Sequence, residues 1–380
     1  MNPLQEFLTQ PLSFQGLRLI RLDLPQKEQF VSGIGVRNSR EALLVVWEDA
    51  DGVSGYGECS CRPDPYYSDE FIDGAIMMVQ QFIVPHLSEI GTLGDLMTLL
   101  GRIRGWNFTK AAIEMAALDA IQKKTKKTPL ELLDITPLTE VPVGISLGLY
   151  HDLEQMKMAV SNAISTGYRR LKFKIAPSVR TEFFDAINPI LVDSKVAVGF
   201  DANGSLTQDH FHVLDYFVNT YGSMIEQPFA PGRFDLLLKA KKQFPEIFVC
   251  YDEEIKSLGD VMKLHHLEVL DEVNLKPGRV GGLLKSMEIV SYCRDHRIPC
   301  WIGGMFETGI GRIHNLKMAS YLPNTSAHDL SPSDRYFLED VVQPGIQMNA
   351  GFVDIQSLDA CEIQPEIIEK YTTQQHHYTS

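Results

Sequence analysis

The sequence predicts an α/β protein: a parallel (β/α)8-type barrel, TIM-like in the modified (β/α)7β form, preceded by an α+β capping domain. Three observations predict it. The first is a rhythm of short apolar runs, each ending in charge. Arg170–Ile175 carries Lys174, Val196–Phe200 ends at Asp201, Met224-Ile225 at Glu226, Ile247–Tyr251 at Asp252, and Leu270–Leu275 at Lys276. The intervals between those charges are 27, 25, 26 and 24 residues. That spacing holds one strand, one helix and two short loops, so each unit brings a charge to the same end of a parallel strand. The second is the pentapeptide Leu171-Lys172-Phe173-Lys174-Ile175. Its period of two puts both lysines on one strand face and the three apolar residues on the other, where helices cover a barrel. The third is that residues 1 to about 135 lack the rhythm altogether.

In order along the chain, Leu43–Trp47 reads as a strand, Glu48–Gly52 as a turn with Asp-Gly chemistry, and Val53–Glu58 as the returning strand. Helices are expected over about Asp69–Leu87 and Thr109–Lys124, the second with Ala112, Met115, Ala116 and Ala120 on one stripe. These form a capping domain over 1–135. The barrel domain is expected over 136–344, with strands Val141–Gly148, Arg170–Ile175, Val196–Asp201, Met224–Glu226, Ile247–Asp252, Val269–Lys276 and Ile298–Gly304. An eighth near Ala327–Ser331 is weak. The tail, about 345–380, is expected to return to the first domain, with Gln374-Gln375-His376-His377 disordered.

A net charge of −14 argues against nucleic acid or an anionic membrane as partner. No apolar run reaches membrane-spanning length and the first residues lack a signal region, so a cytoplasmic enzyme is expected. The six cysteines include no CxxC pair, and Cys59-Ser60-Cys61 is too tight for an ordinary bridge. The expected partner is a small carboxylate substrate, in a chain that can form a homo-oligomer.

Asp201, Glu226 and Asp252, from three successive strand ends, can converge on one cation. An all-oxygen shell suits Mg²⁺, with Mn²⁺ as the substitute, rather than zinc. Lysines on either side of such a cation suggest removal of a proton next to a carboxylate. A lysine that serves as base needs a second cation beside it, and Lys172 stands two residues from Lys174. Lys276 would approach the opposite face of the substrate. Arg279 either adds positive field there or caps a loop.

With these residues in view, the chain resembles the enolase superfamily, and within it the o-succinylbenzoate synthase / N-acylamino acid racemase group. The resemblance runs through Gly55-Tyr56-Gly57-Glu58, Lys172-x-Lys174, Asp201-Ala202-Asn203, Glu226-Gln227-Pro228 and Asp252-Glu253. It is most specific in Asn274–Gly282 and Trp301–Arg312. It implies Mg²⁺ on Asp201, Glu226 and Asp252, acid/base work by Lys174 and Lys276, and support of Lys174 by Lys172. Asn203 and Glu253 would stand behind the ligands, and Ser146, Asn203, Gly304 and Met305 would meet the substrate. Loops around Pro25–Ser32 and Ser60–Tyr67 would close the site. Departures from the group fall mostly in those loops, at Gln29-Phe30 and Cys61–Asp64. The implied reaction is dehydration of 2-succinyl-6-hydroxy-2,4-cyclohexadiene-1-carboxylate to o-succinylbenzoate, in menaquinone biosynthesis. The alternative is racemisation of N-succinylamino acids by the same lysines. An epimerase's Asp-x-Asp is absent from Gly303-Gly304-Met305, and a barrel used only for binding would have lost one of the charges.

Overall fold

The computed structural model describes residues 3–32, 35–323, 325 and 327–380. Strands β1 (Phe14–Ser32), β2 (Gly35–Asp49) and β3 (Ser54–Cys59) form an antiparallel sheet. The continuous apolar run in β2 is buried on both faces. Leu43, Val45 and Trp47 pack under the helix Asn107–Thr125, while Leu44 and Val46 join Ile310, Phe337 and Val341 from the other end of the chain. The Ala stripe and Gly55-x-Gly57 explain each other. A Cβ on Gly55 would stand 2.0 Å from the Ala116 carbonyl oxygen, and one on Gly57 2.1 Å from that of Ala112. Small residues on both surfaces let helix and sheet touch backbone to backbone.

The second sheet is parallel and follows chain order. After β4 (Glu140–Pro142) come β5 (Ile145–Leu147), β6 (Arg170–Lys174), β7 (Ala197–Asp201), β8 (Met224–Glu226), β9 (Val249–Tyr251), β10 (Glu272–Leu275) and β11 (Cys300–Ile302). The seven strands β5 to β11 are the expected barrel strands. The weak eighth position, 327–331, closes the gap by single bonds. The Asp329 N–H donates to the Ile302 carbonyl (3.0 Å) and the Gly144 N–H to that of His328 (2.7 Å).

Four expectations need correction. The first barrel strand is not continuous over Val141–Gly148: β4 pairs antiparallel with β13 (Phe352–Asp354), and only β5 joins the barrel. Helix Asp69–Leu87 is shorter, Ile72–Phe82, followed by a 3-10 turn at Val84–Glu89. Pro25–Ser32 is the outer part of β1 rather than a loop, because its backbone pairs with β2 as far as Ser32 and Gly35. The side chains of Gln29 and Phe30 lie outside the described residues. The fourth concerns the tail. Beyond β12 (Val342–Gln343), β13 (Phe352–Asp354) and β14 (Glu362–Ile363), residues 374–377 are ordered within β15 (Thr372–Thr379). β15 pairs antiparallel with β1 from Gly16↔Thr379 to Leu22↔Thr372. Among the described residues, no helix is long and apolar enough to cross a membrane.

Candidate active site

Strand β6 builds one wall of the site. Leu171 and Phe173 point outward, Phe173 against Phe184 and Phe200 with ring centroids at 5.4 and 6.1 Å. The alternate residues Arg170, Lys172 and Lys174 therefore form a column facing the barrel interior. Arg170 lies over the Trp301 ring at 4.0 Å. Exposure rises toward the mouth: the Lys172 side chain is 5% exposed, that of Lys174 34%.

Parallel pairing then aligns the carboxylates. Lys174 stands opposite Asp201, and Asp201 opposite Glu226. Asp252 follows β9 directly, and Lys276 follows β10. In the sheet order the strands carrying the two lysines flank the three acid-bearing strands. Lys172 Nζ lies 2.8 Å from Glu226 Oε2 and 3.6 Å from Asp201 Oδ2. Lys174 Nζ lies 2.7 Å from Asp201 Oδ2 and also donates to Asn203 Oδ1. Lys276 Nζ donates to Asp252 Oδ2 (2.9 Å) and to the Tyr67 hydroxyl (3.0 Å). Asn203 Nδ2 donates to Glu253 Oε1 at 2.9 Å.

The electrostatics divide the carboxylates. Burial pushes the Glu226 carboxyl up to about 8, with neighbouring Asp201 adding to it. Burial also works against ionisation of Asp252, but Arg279 and Lys276 outweigh it and hold that carboxyl below the usual range. Arg279 is buried, pairs with Asp252 and donates to the Ile255 carbonyl (2.9 Å). Asp201 is held down against its burial by Lys174 and Lys172. Burial would lower Lys276, yet Asp252 raises it.

Three participants escaped the sequence reading. Asp329 lies 2.6 Å from Lys172 Nζ and 3.0 Å from Arg170, and it accepts from the Ser146 hydroxyl at 3.2 Å. Tyr67 belongs to a loop expected to close the site, but its bond to Lys276 was not foreseen. Asn274 Nδ2 donates to Glu226 Oε1 at 2.9 Å. Ser146 thus lies in the column's network, opposite Lys172. Gly304 is packed tight, a Cβ there meeting Arg312 Nη1 at 2.5 Å. Met305 packs into the core of the N-terminal domain.

Residues 155–358 match the family model described as enolase C-terminal domain-like, which covers more than half of the chain. The chain belongs to the enolase superfamily. An o-succinylbenzoate synthase of Listeria innocua is 31% identical over 94% of this chain and 96% of its own length. An N-succinylamino acid racemase of an Amycolatopsis species is 32% identical over 95% of this chain and 98% of its own. The crystal structure of an enolase superfamily member from Listeria innocua superposes with a TM-score of 0.89, at 30% identity, over 97% of this chain and 99% of that one.

Enolase superfamily enzymes generally use a divalent metal. The donors present here fit one chemically: buried carboxylate oxygens, with Glu253 Oε2 buried and without a hydrogen-bond partner. As placed, each of the three carboxylates faces a lysine, and among the described residues no three His, Cys or acidic side chains form a ready metal-holding group.

Proposed function

We propose that this enolase superfamily chain is an Mg²⁺-dependent o-succinylbenzoate synthase. The observation that carries the reading is the pair of lysines, Lys174 and Lys276, on strands that flank three buried carboxylates. Relatives named o-succinylbenzoate synthase support the choice of product. Asp201, Glu226 and Asp252 would hold the cation, which supplies positive charge to the substrate's ring carboxylate as its α-carbon becomes electron-rich.

The chain's own residues do the rest. Lys174 Nζ, in its neutral form, takes the proton from the ring carbon bearing the carboxylate. The electron pair left behind forms the ring double bond as the neighbouring hydroxyl departs. That hydroxyl leaves with the proton returned by Lys174, so the products are o-succinylbenzoate and water. Lys276 stays cationic beside the developing charge, oriented by Asp252 and Tyr67. Lys172, bridging Glu226 and Asp329, keeps its charge next to Lys174 throughout. Burial favours its neutral form, but Asp329 and Glu226 hold the proton on it.

The racemase named among the relatives supports a second reading, in which each lysine serves one face of an N-succinylamino acid. The same variants test both. Lys174→Arg keeps a charge that cannot be given up at working pH, so it should end dehydration, a loss of roughly 10²- to 10⁴-fold. Lys276→Arg should keep part of the dehydration but stop racemisation, which either substitution ends. The readout is dehydration rate alongside deuterium uptake from D₂O into each N-succinylamino acid enantiomer. Normal dehydration by Lys174→Arg with a dead Lys276→Arg would invert the assignment.

A further inference from the structure

A cleft of about 210 Å³ opens at the rim of the barrel, between the segments that follow β5 and β6, and Lys174 forms part of its wall. That space is ample for a short acyl arm. Its lining combines apolar surface from Leu149, Val179 and Phe183 with Lys174 and Arg180, and it includes no Asp or Glu. In a chain of net charge −14, an acid-free cleft that holds the Arg180 guanidinium selects for anions. Lys174 is already committed to Asp201 and Asn203. Arg180 is not committed. It donates to the His151 carbonyl at a long 3.4 Å, rests over the Phe183 ring at 5.2 Å, and makes no ion pair with a carboxylate among the described residues.

We propose that this cleft receives the far carboxylate of the substrate's acyl arm, with Arg180 as its anion partner and Leu149 and Val179 along its methylenes. The proposal rests on the reading above that the substrate carries a succinyl group. Lys174 lines the cleft and also bonds Asp201, so a substrate held at Lys174 lies next to the cleft. Leu149, 51% exposed, gains a partner when the arm lies there. A guanidinium suits the role because its planar fork meets a carboxylate through two hydrogen bonds.

The test compares Arg180→Gln and Arg180→Lys with wild type on paired substrates that differ only at the arm's end, N-succinyl and N-butyryl amino acids, together with the dehydration substrate. Losing a charge-assisted bond at a solvent-facing site should raise KM about tenfold for the succinyl compounds, leave kcat within about threefold, and leave the butyryl compound unchanged. Arg180→Lys should recover part of the loss. Equal losses on both arms, or none on either, overturn the subsite. Calorimetric titration separates this from failure of the reaction assignment, using o-succinylbenzoate against 2-butyrylbenzoate, which lacks the far carboxylate. A wild type that prefers the former about tenfold, with the preference gone in Arg180→Gln, upholds the subsite even where no turnover is found. A wild type that binds both alike, or neither, overturns the subsite, even where dehydration is observed.

Discussion

Two sets of buried carboxylates do different work in this molecule. Asp201, Glu226 and Asp252, at the strand ends, are answered by cationic side chains: Lys174, Lys172, Lys276 and Arg279. Glu58, Glu70 and Glu114, in the N-terminal domain, are answered by helix N-termini. Glu58 accepts from the Thr308 N–H (3.0 Å), the Thr308 hydroxyl (2.7 Å) and the Gly311 N–H (3.1 Å). Glu114 accepts from the N–H groups of Leu283 (2.6 Å) and Leu284 (3.1 Å), and Glu70 from those of Phe108 and Thr109 (both 2.9 Å). Backbone donors cannot be given up or moved, so the second set ties helices down, two of them across the interface to the barrel. Lysines can change partner and protonation, so the first set can serve chemistry. Burial alone does not distinguish a site from a joint; the kind of donor does.

The largest expected effects are at the first set. Asp201→Asn, Glu226→Gln and Asp252→Asn should each reduce turnover by roughly 10²- to 10³-fold and weaken divalent-cation binding measured by calorimetry. Asp252→Asn should also lower stability to urea by about 3 kcal/mol or more, because Lys276 and Arg279 lose their common buried partner. Full activity after chelation and dialysis would remove the cation from the mechanism.

Glu58→Gln should do the reverse, costing about 1–3 kcal/mol of stability while turnover per folded molecule stays within a few-fold. Its pH dependence sharpens the contrast. Burial pushes Glu58 up to about 7, with the Glu307 charge adding to it and Thr308 opposing. A carboxyl that holds its proton more tightly folded than unfolded contributes stability that is present at low pH and declines as pH rises through the folded value. Wild-type stability should therefore carry a falling component between about pH 4.5 and 7 that Glu58→Gln removes. An unchanged slope in urea midpoints across that window would contradict the assignment.

The smallest effect is expected at Cys59 and Cys61. Their Sγ atoms are 3.4 Å apart, both buried and free, so a thiol titration of the unfolded chain should count six. The double Ser variant should keep activity within about twofold, since both thiols are buried away from solvent.

What was legible in the sequence follows the same physics. The strand-end charges were visible because each terminates an apolar run at a regular interval, and the parallel register carries that interval into space. Asp329 was not visible, because its segment holds its place by single backbone bonds and never forms a run. The break at Pro142–Gly144 was hidden because β13, the strand that draws β4 aside, lies more than 200 residues away. The tail read as disordered because Thr-Thr-Gln-Gln-His-His is polar on both faces, which an edge strand tolerates and a central one does not. The cap's loop at Pro25–Ser32 failed likewise, since its strand character comes from a partner ribbon rather than from its own residues.

That edge strand has a consequence for how the chain is made. β1 leaves the ribosome long before β15: the paired residues Leu22 and Thr372 are 350 positions apart. At 5–20 residues per second the edge of β1 waits roughly 18 to 70 s for its mate. Through that interval its N–H and C=O groups along Gly16–Leu22 stand open to any passing strand, a neighbouring nascent chain's β1 or β15 included. The polar β15 side chains, which weaken its signal in the sequence, also make it a poor nucleus for such misjoining. The first sheet to be synthesised is thus the last to be finished.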